Sequence, residues 1–260
     1  MSLGAPRLIV ARDNPLVQTL RRLAEGSGTG RAAREQGQVW LEGDHLCRAA
    51  QARGRVAQMA VFSESAWASG RWSALAGDAA QTVLLADKLF AHISHLPSPA
   101  GVGWLLTMPP APVLEVRAAT VVLDRVQDAG NVGSILRSAA AFGIRQVIAL
   151  KGTASLWSPK VLRAGMGAHF GLALFDAAEP SLLDSLELPL LAASSHAEQA
   201  LSVARLPWPA AWVFGHEGQG VTREIQARCL LTLRIPQPGG EESLNVAAAA
   251  AVCLYESVRR

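Results

Sequence analysis

Apolar positions along the chain follow two rhythms. One is helical: in NVGSILRSAAAFGI, Val132, Ile135, Leu136, Ala139, Ala140 and Gly143 keep the i, i+3, i+4 spacing of a helix packed on a core. That spacing leaves Gly133, Ser134, Arg137 and Ser138 on the other side, so Arg137 points away from the core. Asn131 is placed to cap this helix, and Gly133 keeps side-chain bulk away from the guanidinium. The second rhythm is that of strands. TVVLD, QVIAL, LPLLAA, AWVFG and LTLRIP are short apolar runs within residues 120–236 that alternate with helical stretches. The alternation predicts an α/β fold built on a mainly parallel sheet with helices on both faces.

Upstream the texture differs. A helical pattern over Pro15–Leu23, strand-like QVWLEG, a helix over Asp44–Ala52, then strand-like VAQMAVF, TVLLA and GVGWLL predict a smaller α/β unit. The proline-rich segment LTMPPAPVLEV, Leu106–Val116, separates the two regions. The expected organisation is a first domain over 1–108, a linker over 109–116 and a second domain over 117–260.

A content of 50% hydrophobic and 17% charged residues sets disorder aside and fits a well-buried globular chain. Apolar runs stay short of the roughly 18–20 residues of a membrane span, and Arg7, Arg12 and Asp13 interrupt any signal-peptide core. A soluble cytoplasmic protein is expected. Cys47, Cys229 and Cys253 are scattered and lack metal-ligand spacing, so they read as reduced, mostly buried thiols with no metal. The net charge of +3 is uneven: residues 1–110 hold eleven Lys and Arg against eight Asp and Glu, whereas residues 111–260 hold thirteen of each. Arg21, Arg22, Arg31 and Arg34 belong to this N-terminal excess, which suits either a nucleic-acid surface or a solvated helix face.

Ligands of open parallel sheets sit beyond the carboxyl ends of strands, so three loops matter most. They are DRVQDAGNVGSILR, the glycine-rich VFGHEGQGV around Glu217, and RIPQPGGEESLNVAAAAAVCLYE, in which Ser243 and Asn245 open a helix apolar on nearly every side. The second loop lacks both the G-K-[ST] ending of a Walker A sequence and the Rossmann spacing, which disfavours phosphate cradling.

Together these loops closely resemble the SpoU family, the TrmH-type branch of the knotted RNA ribose 2′-O-methyltransferases. N-x-G-S-x-x-R-S stands at Asn131–Ser138, F-G-x-E-G-x-G at Phe214–Gly220, and I-P…S-L-N-V at Ile235–Val246. DNPLVQTLRRL, VWLEG and SHLPSPAGVGWLL look like the family's N-terminal substrate-binding domain, so the resemblance spans nearly the whole chain. Ala129 departs from it, standing where the family commonly has proline.

The resemblance implies S-adenosylmethionine as methyl donor, a deep trefoil knot in the C-terminal segment and a homodimer formed through the C-terminal domain. It implies cofactor contacts at Phe214, Gly215, Gly220, Ile235, Pro236 and Leu244, and an active site of Asn131, Arg137, Glu217, Ser243 and Asn245. Arg21, Arg22, Arg31 and Arg34 become candidate RNA contacts, with ribosomal RNA of the 23S type favoured over transfer RNA. The family equivalent of Arg137 is held to assist deprotonation of the ribose hydroxyl. A guanidinium is a poor base, so ribose positioning, phosphate binding or alkoxide stabilisation suits it better. A non-catalytic RNA-binding protein of the same fold would have damaged motifs, and all five active-site positions are intact here. A His or Cys nucleophile would need polar company around His216 or Cys229, and the sequence offers none.

Overall fold

The computed structural model describes residues 6–26, 31–239 and 243–259, without the side chains of Arg31, Ala32 and Arg34. The chain forms two compact units, Met1–Pro110 with Trp157–Phe170, and Ala111–Leu156 with Gly171–Arg260.

The first unit contains β1 (Arg7–Ile9), α1 (Pro15–Glu25), α2 (Arg31–Gln36), β2 (Gln38–Glu42), α3 (Asp44–Gln51), β3 (Ala57–Ser63), α4 (Glu64–Ala68), α5 (Ala74–Gly77), β4 (Ala79–Leu85), α6 (Asp87–Ile93) and β5 (Val102–Thr107). Its sheet runs β1-β4-β3-β5-β2, parallel as far as β3 and antiparallel through β5 and β2. Asn14 caps α1 by accepting the Leu16 amide at 2.9 Å, and Pro15 suits the first turn, where no intrahelical donor is needed. Val17, Leu20 and Leu23 of α1 join Trp40, Val61, Phe90 and Leu105 in one core. Side chains alternate along a strand, so Leu41 and Trp104 face the other way; there the Trp104 indole donates to the Leu75 carbonyl at 3.1 Å.

The returning segment Trp157–Phe170 packs α8 (Pro159–Gly165) onto α1 and β2. It interrupts the continuous 117–260 domain expected from the sequence, and its Lys160 and Arg163 come without acidic residues. The first unit therefore carries thirteen basic against eight acidic residues, or +5, and the second eleven against thirteen, or −2.

The second unit holds β6 (Thr120–Asp124), α7 (Ala129–Ala141), β7 (Gln146–Leu150), β8 (Ala173–Ala178), β9 (Leu190–Ala193), β10 (Ala211–Gly215), α9 (Arg223–Gln226), β11 (Leu231–Leu233) and α10 (Val246–Val258). The sheet order is β11-β9-β10-β6-β7-β8, parallel throughout. β6, β7 and β10 are buried along their whole length, which explains their unbroken apolar sequences. The chain leaves β6 toward β7 on one side and later fills the other side with β9, β10 and β11, so β6 and β10 flank the switch point of the sheet. α10 packs on α7, β9 and β10. It is fastened by the buried Trp212 indole, which donates to Ser257 Oγ at 2.8 Å while that hydroxyl donates to the Cys253 carbonyl. Cys253 and Cys47 are buried and Cys229 partly so; burial pushes the Cys253 thiol up to about 12 and the Cys229 thiol to about 11. Among the described residues, no helix is long and apolar enough to cross a membrane.

Candidate active site at the strand ends of the second sheet

Beyond Asp124, the carboxyl end of β6, the chain turns sharply before α7 begins at Ala129. Asp128 caps that helix, accepting the Asn131 amide at 2.8 Å. Asn131 is therefore not the cap expected from the sequence. Ala129 occupies the first helical position, one that also accepts proline because no intrahelical donor is needed there. A second expectation also changes. Gly133 is buried with Val132 and Leu136, because α10 packs against α7 and the covered arc is wider than one face. Arg137 remains exposed, as its position on the helix predicts, and has no ion-pair partner among the described residues.

Freed from capping, the Asn131 side chain joins two other loops. Its amide nitrogen donates to Glu217 Oε1 at 3.1 Å, and its oxygen accepts from Asn245 Nδ2 at 2.9 Å. Asn245 caps α10, its oxygen accepting the Ala247 and Ala248 amides at 2.9 and 3.3 Å. One carboxamide thus serves a helix end and a tertiary contact at once. Glu217 also accepts the Gln127 and Asp128 amides, at 3.2 and 3.1 Å. Burial by itself would push the Glu217 carboxyl up, but hydrogen bonds from Asn131 and from backbone amides outweigh it and hold it below the ordinary carboxylate range.

Glu217 sits on a tight turn that follows β10. His216 and Gly220 exchange two backbone hydrogen bonds, at 3.1 and 2.8 Å, and His216 Nδ1 accepts the Gly218 and Gln219 amides. His216 thus shapes the turn. The turn folds back so closely that a Cβ at Gly215 would lie 2.1 Å from the Gly220 carbonyl carbon and 2.2 Å from the Val221 nitrogen. Asp124, nearly fully buried, accepts the Thr222 amide at 2.6 Å, and Arg125 donates to Gln219 Oε1 at 3.1 Å. The sequence alone does not mark these three contacts, at Asp124, Arg125 and Asp128, as features of the site. Asp128 alone had a visible signal, an acidic residue just ahead of an apolar helical period.

Phe214 is buried and stacked on Trp212 at 6.0 Å. Gly220 has φ +67°. Ile235 is half-buried just beyond β11, Pro236 is exposed, and Ser243 and Leu244 are exposed immediately before the Asn245 cap. In the first unit Arg21 pairs with Glu25 at 2.6 Å and Arg22 is exposed, while the Arg31 and Arg34 side chains lie outside the described residues. The guanidiniums of Arg48 and Arg71 lie over the Trp72 ring, 5.4 and 4.4 Å from its centroid. Among the described residues no cluster of His, Cys, Asp and Glu could hold a metal ion.

Comparison with known proteins points to one family. Residues 118–255 match the SpoU rRNA Methylase family. An uncharacterised tRNA/rRNA methyltransferase of Synechocystis is 33% identical over 97% of this chain and 93% of its own. The 23S rRNA guanosine 2′-O-methyltransferase RlmP of Bacillus subtilis is 29% identical over 83% of this chain and 86% of its own. The SpoU methyltransferase AviRb of Streptomyces viridochromogenes, solved with S-adenosylmethionine, superposes with a TM-score of 0.80 at 25% identity, covering 95% of this chain and 98% of that one.

Proposed function

Because the chain belongs to the SpoU rRNA Methylase family, we propose that it transfers a methyl group from S-adenosylmethionine to a ribose 2′-hydroxyl of RNA, ribosomal in preference to transfer RNA. One observation carries this reading. The hydrogen-bonded line Glu217–Asn131–Asn245 joins all three motif loops at the switch point of the sheet, and the exposed Arg137, without an ion-pair partner among the described residues, stands on the helix rooted there.

The residues present suit the cofactor. Gly215 lets the turn after β10 fold close on its own strand, and Ile235 and Leu244, half-buried and exposed, supply apolar surface for the cofactor. Phe214, Gly220 and Pro236 frame the same strand ends. Bound S-adenosylmethionine supplies a methyl group activated on a sulfonium sulfur. The work left to the protein is alignment and charge stabilisation. Glu217, Asn131 and Asn245 hold the loops in register, and Ser243, beside Asn245, stands at the edge that receives the ribose. Arg137 positions the ribose or its phosphate and stabilises the developing alkoxide, since guanidinium groups stay protonated in proteins.

The other assignments follow the same reading. The trefoil knot belongs to the C-terminal segment of the second unit. Ala248, Val252, Tyr255 and Val258 are exposed along one stripe of α10, and a second copy of the chain covers them in a homodimer. The first unit, at +5, carries the RNA, with Arg21, Arg22, Arg31 and Arg34 among its contacts. The decisive experiment incubates the protein with methyl-labelled S-adenosylmethionine and ribosomal RNA from cells lacking the gene. Label in alkali-resistant dinucleotides is expected; label confined to bases would overturn the assignment.

A further inference from the structure

Arg125 follows β6 directly and has φ +61°, a left-handed conformation that glycine adopts freely and a long side chain does not. The surroundings are arranged to keep it there. Thr153 Oγ1 accepts the Arg125 amide at 3.0 Å and donates to the Leu123 carbonyl, which fixes the backbone of the bend. Gly152, at φ +92°, leaves room for the side chain, because a Cβ there would come within 3.1 Å of Arg125 Cγ. The guanidinium is held between the buried Asp124 carboxylate, with Nε 3.5 Å from Oδ1, and Gln219, to which Nη1 donates at 3.1 Å. Nε is buried and makes no hydrogen bond of its own among the described residues. A left-handed arginine with this much accommodation calls for a task beyond local folding.

The task is visible in what Gln219 belongs to. It lies two residues after Glu217 on the turn closed by His216 and Gly220. Three ties bind this turn and its exit to the β6–α7 connection: Asp124 to the Thr222 amide, Arg125 to Gln219, and Glu217 back to Gln127, Asp128 and Asn131. Among the described residues, only the Arg125 tie reaches the turn between the other two. We infer that Arg125 is a positioning residue of the methyl-transfer site, acting through Gln219 to hold the turn so that Glu217 stays on Asn131 and on the amides ahead of α7. It supports the site without touching RNA or cofactor. Its catalytic consequence rests on the function proposed above, whereas its mechanical consequence does not.

The test uses Arg125→Ala, Gln219→Ala and the double variant in the full-length protein. Alanine keeps the same backbone demand at position 125, so the comparison isolates the guanidinium. Each single variant should lower kcat by about tenfold, a loss typical of misaligned reacting groups, with RNA affinity in gel shifts unchanged. The double variant should fall no further than either single, because both remove one contact. Gln219→Glu, which keeps an acceptor for the guanidinium, should recover kcat to within about twofold of wild type. Independently of any methylation, amide hydrogen exchange at Gln127 and Asp128 should accelerate in both single variants, since their acceptor Glu217 is no longer held. Additive losses in the double variant, or RNA affinity that falls with Arg125→Ala alone, would overturn the inference. So would unchanged exchange at both amides. A wild-type protein inactive on RNA would count against the proposed function, and the exchange measurement would still decide the role of Arg125.

Discussion

Replacing Gly215 with alanine adds a single methyl group at the point where the turn after β10 folds back on its own strand. That methyl would sit 2.1 Å from the Gly220 carbonyl carbon and 2.3 Å from its oxygen, both backbone atoms that no rotamer change can move aside. Ordinary contact begins at 3.4 Å, so Gly220 must retreat by about 1.3 Å. The hydrogen bonds between His216 and Gly220 start at 2.8 and 3.1 Å, and a retreat of that size takes them past useful length. Losing two such bonds at about 1 kcal/mol each, with about 1–3 kcal/mol of overpacking, predicts a destabilisation of about 3–5 kcal/mol if the turn stays in place. If the turn yields, the stability loss is smaller and the cost moves to function. Displacing a site loop by about 1 Å is expected to cost about a hundredfold in rate and to weaken cofactor binding in parallel. Titration calorimetry with S-adenosylmethionine and thermal melting measure the two arms. Gly218→Ala is the matched control in the same turn, since a methyl there meets only the His216 ring at 3.8 Å. Wild-type cofactor affinity in a Gly215→Ala protein that also melts normally would refute the reasoning.

Arg137→Ala should leave melting temperature and cofactor affinity near wild type while methyl transfer falls by about a hundredfold or more, as on removing one electrostatic stabiliser. Arg145→Ala is its control: among the described residues the Arg145 side chain makes one long, exposed pair, with Glu115, so activity should hold and stability should change by less than about 0.5 kcal/mol. Glu217→Gln tests the lowered Glu217 carboxyl. A depressed carboxyl contributes stability above its unfolded value and loses it as the pH falls through the folded one, so the deficit of the variant in denaturant melts should be level near neutrality and shrink below about pH 4.5. Val252→Glu places a charge in the exposed stripe of α10 and should shift sedimentation toward monomer; a dimer of unchanged affinity would show that the stripe is not the interface.

What the sequence made legible follows from the range of the forces involved. The parallel sheet could be read because β6, β7 and β10 are buried on both faces and their apolar runs are local and unbroken. Arg137 could be placed because helical period decides which side a residue occupies, and that too is local. The errors lie where a residue answers to something distant in the chain. Asn131 looks like a cap from its own neighbourhood, and only the arrival of Glu217 and Asn245 gives the nitrogen and the oxygen of its carboxamide other partners. Gly133 looks solvent-facing until α10 returns to cover α7. Trp157–Phe170 looks like part of the second domain because nothing local distinguishes its helix, whose Val161 and Leu162 are buried within the first unit. Arg125 is the extreme case: its left-handed backbone is set by Thr153 and Gly152, and its guanidinium is directed by Gln219, 94 positions away in the chain. A polar site assembled at a switch point is made of such long-range contacts. Periodicity can therefore locate the loops of this site, but the hydrogen-bond partners within it are fixed only when the sheet brings β6 and β10 side by side.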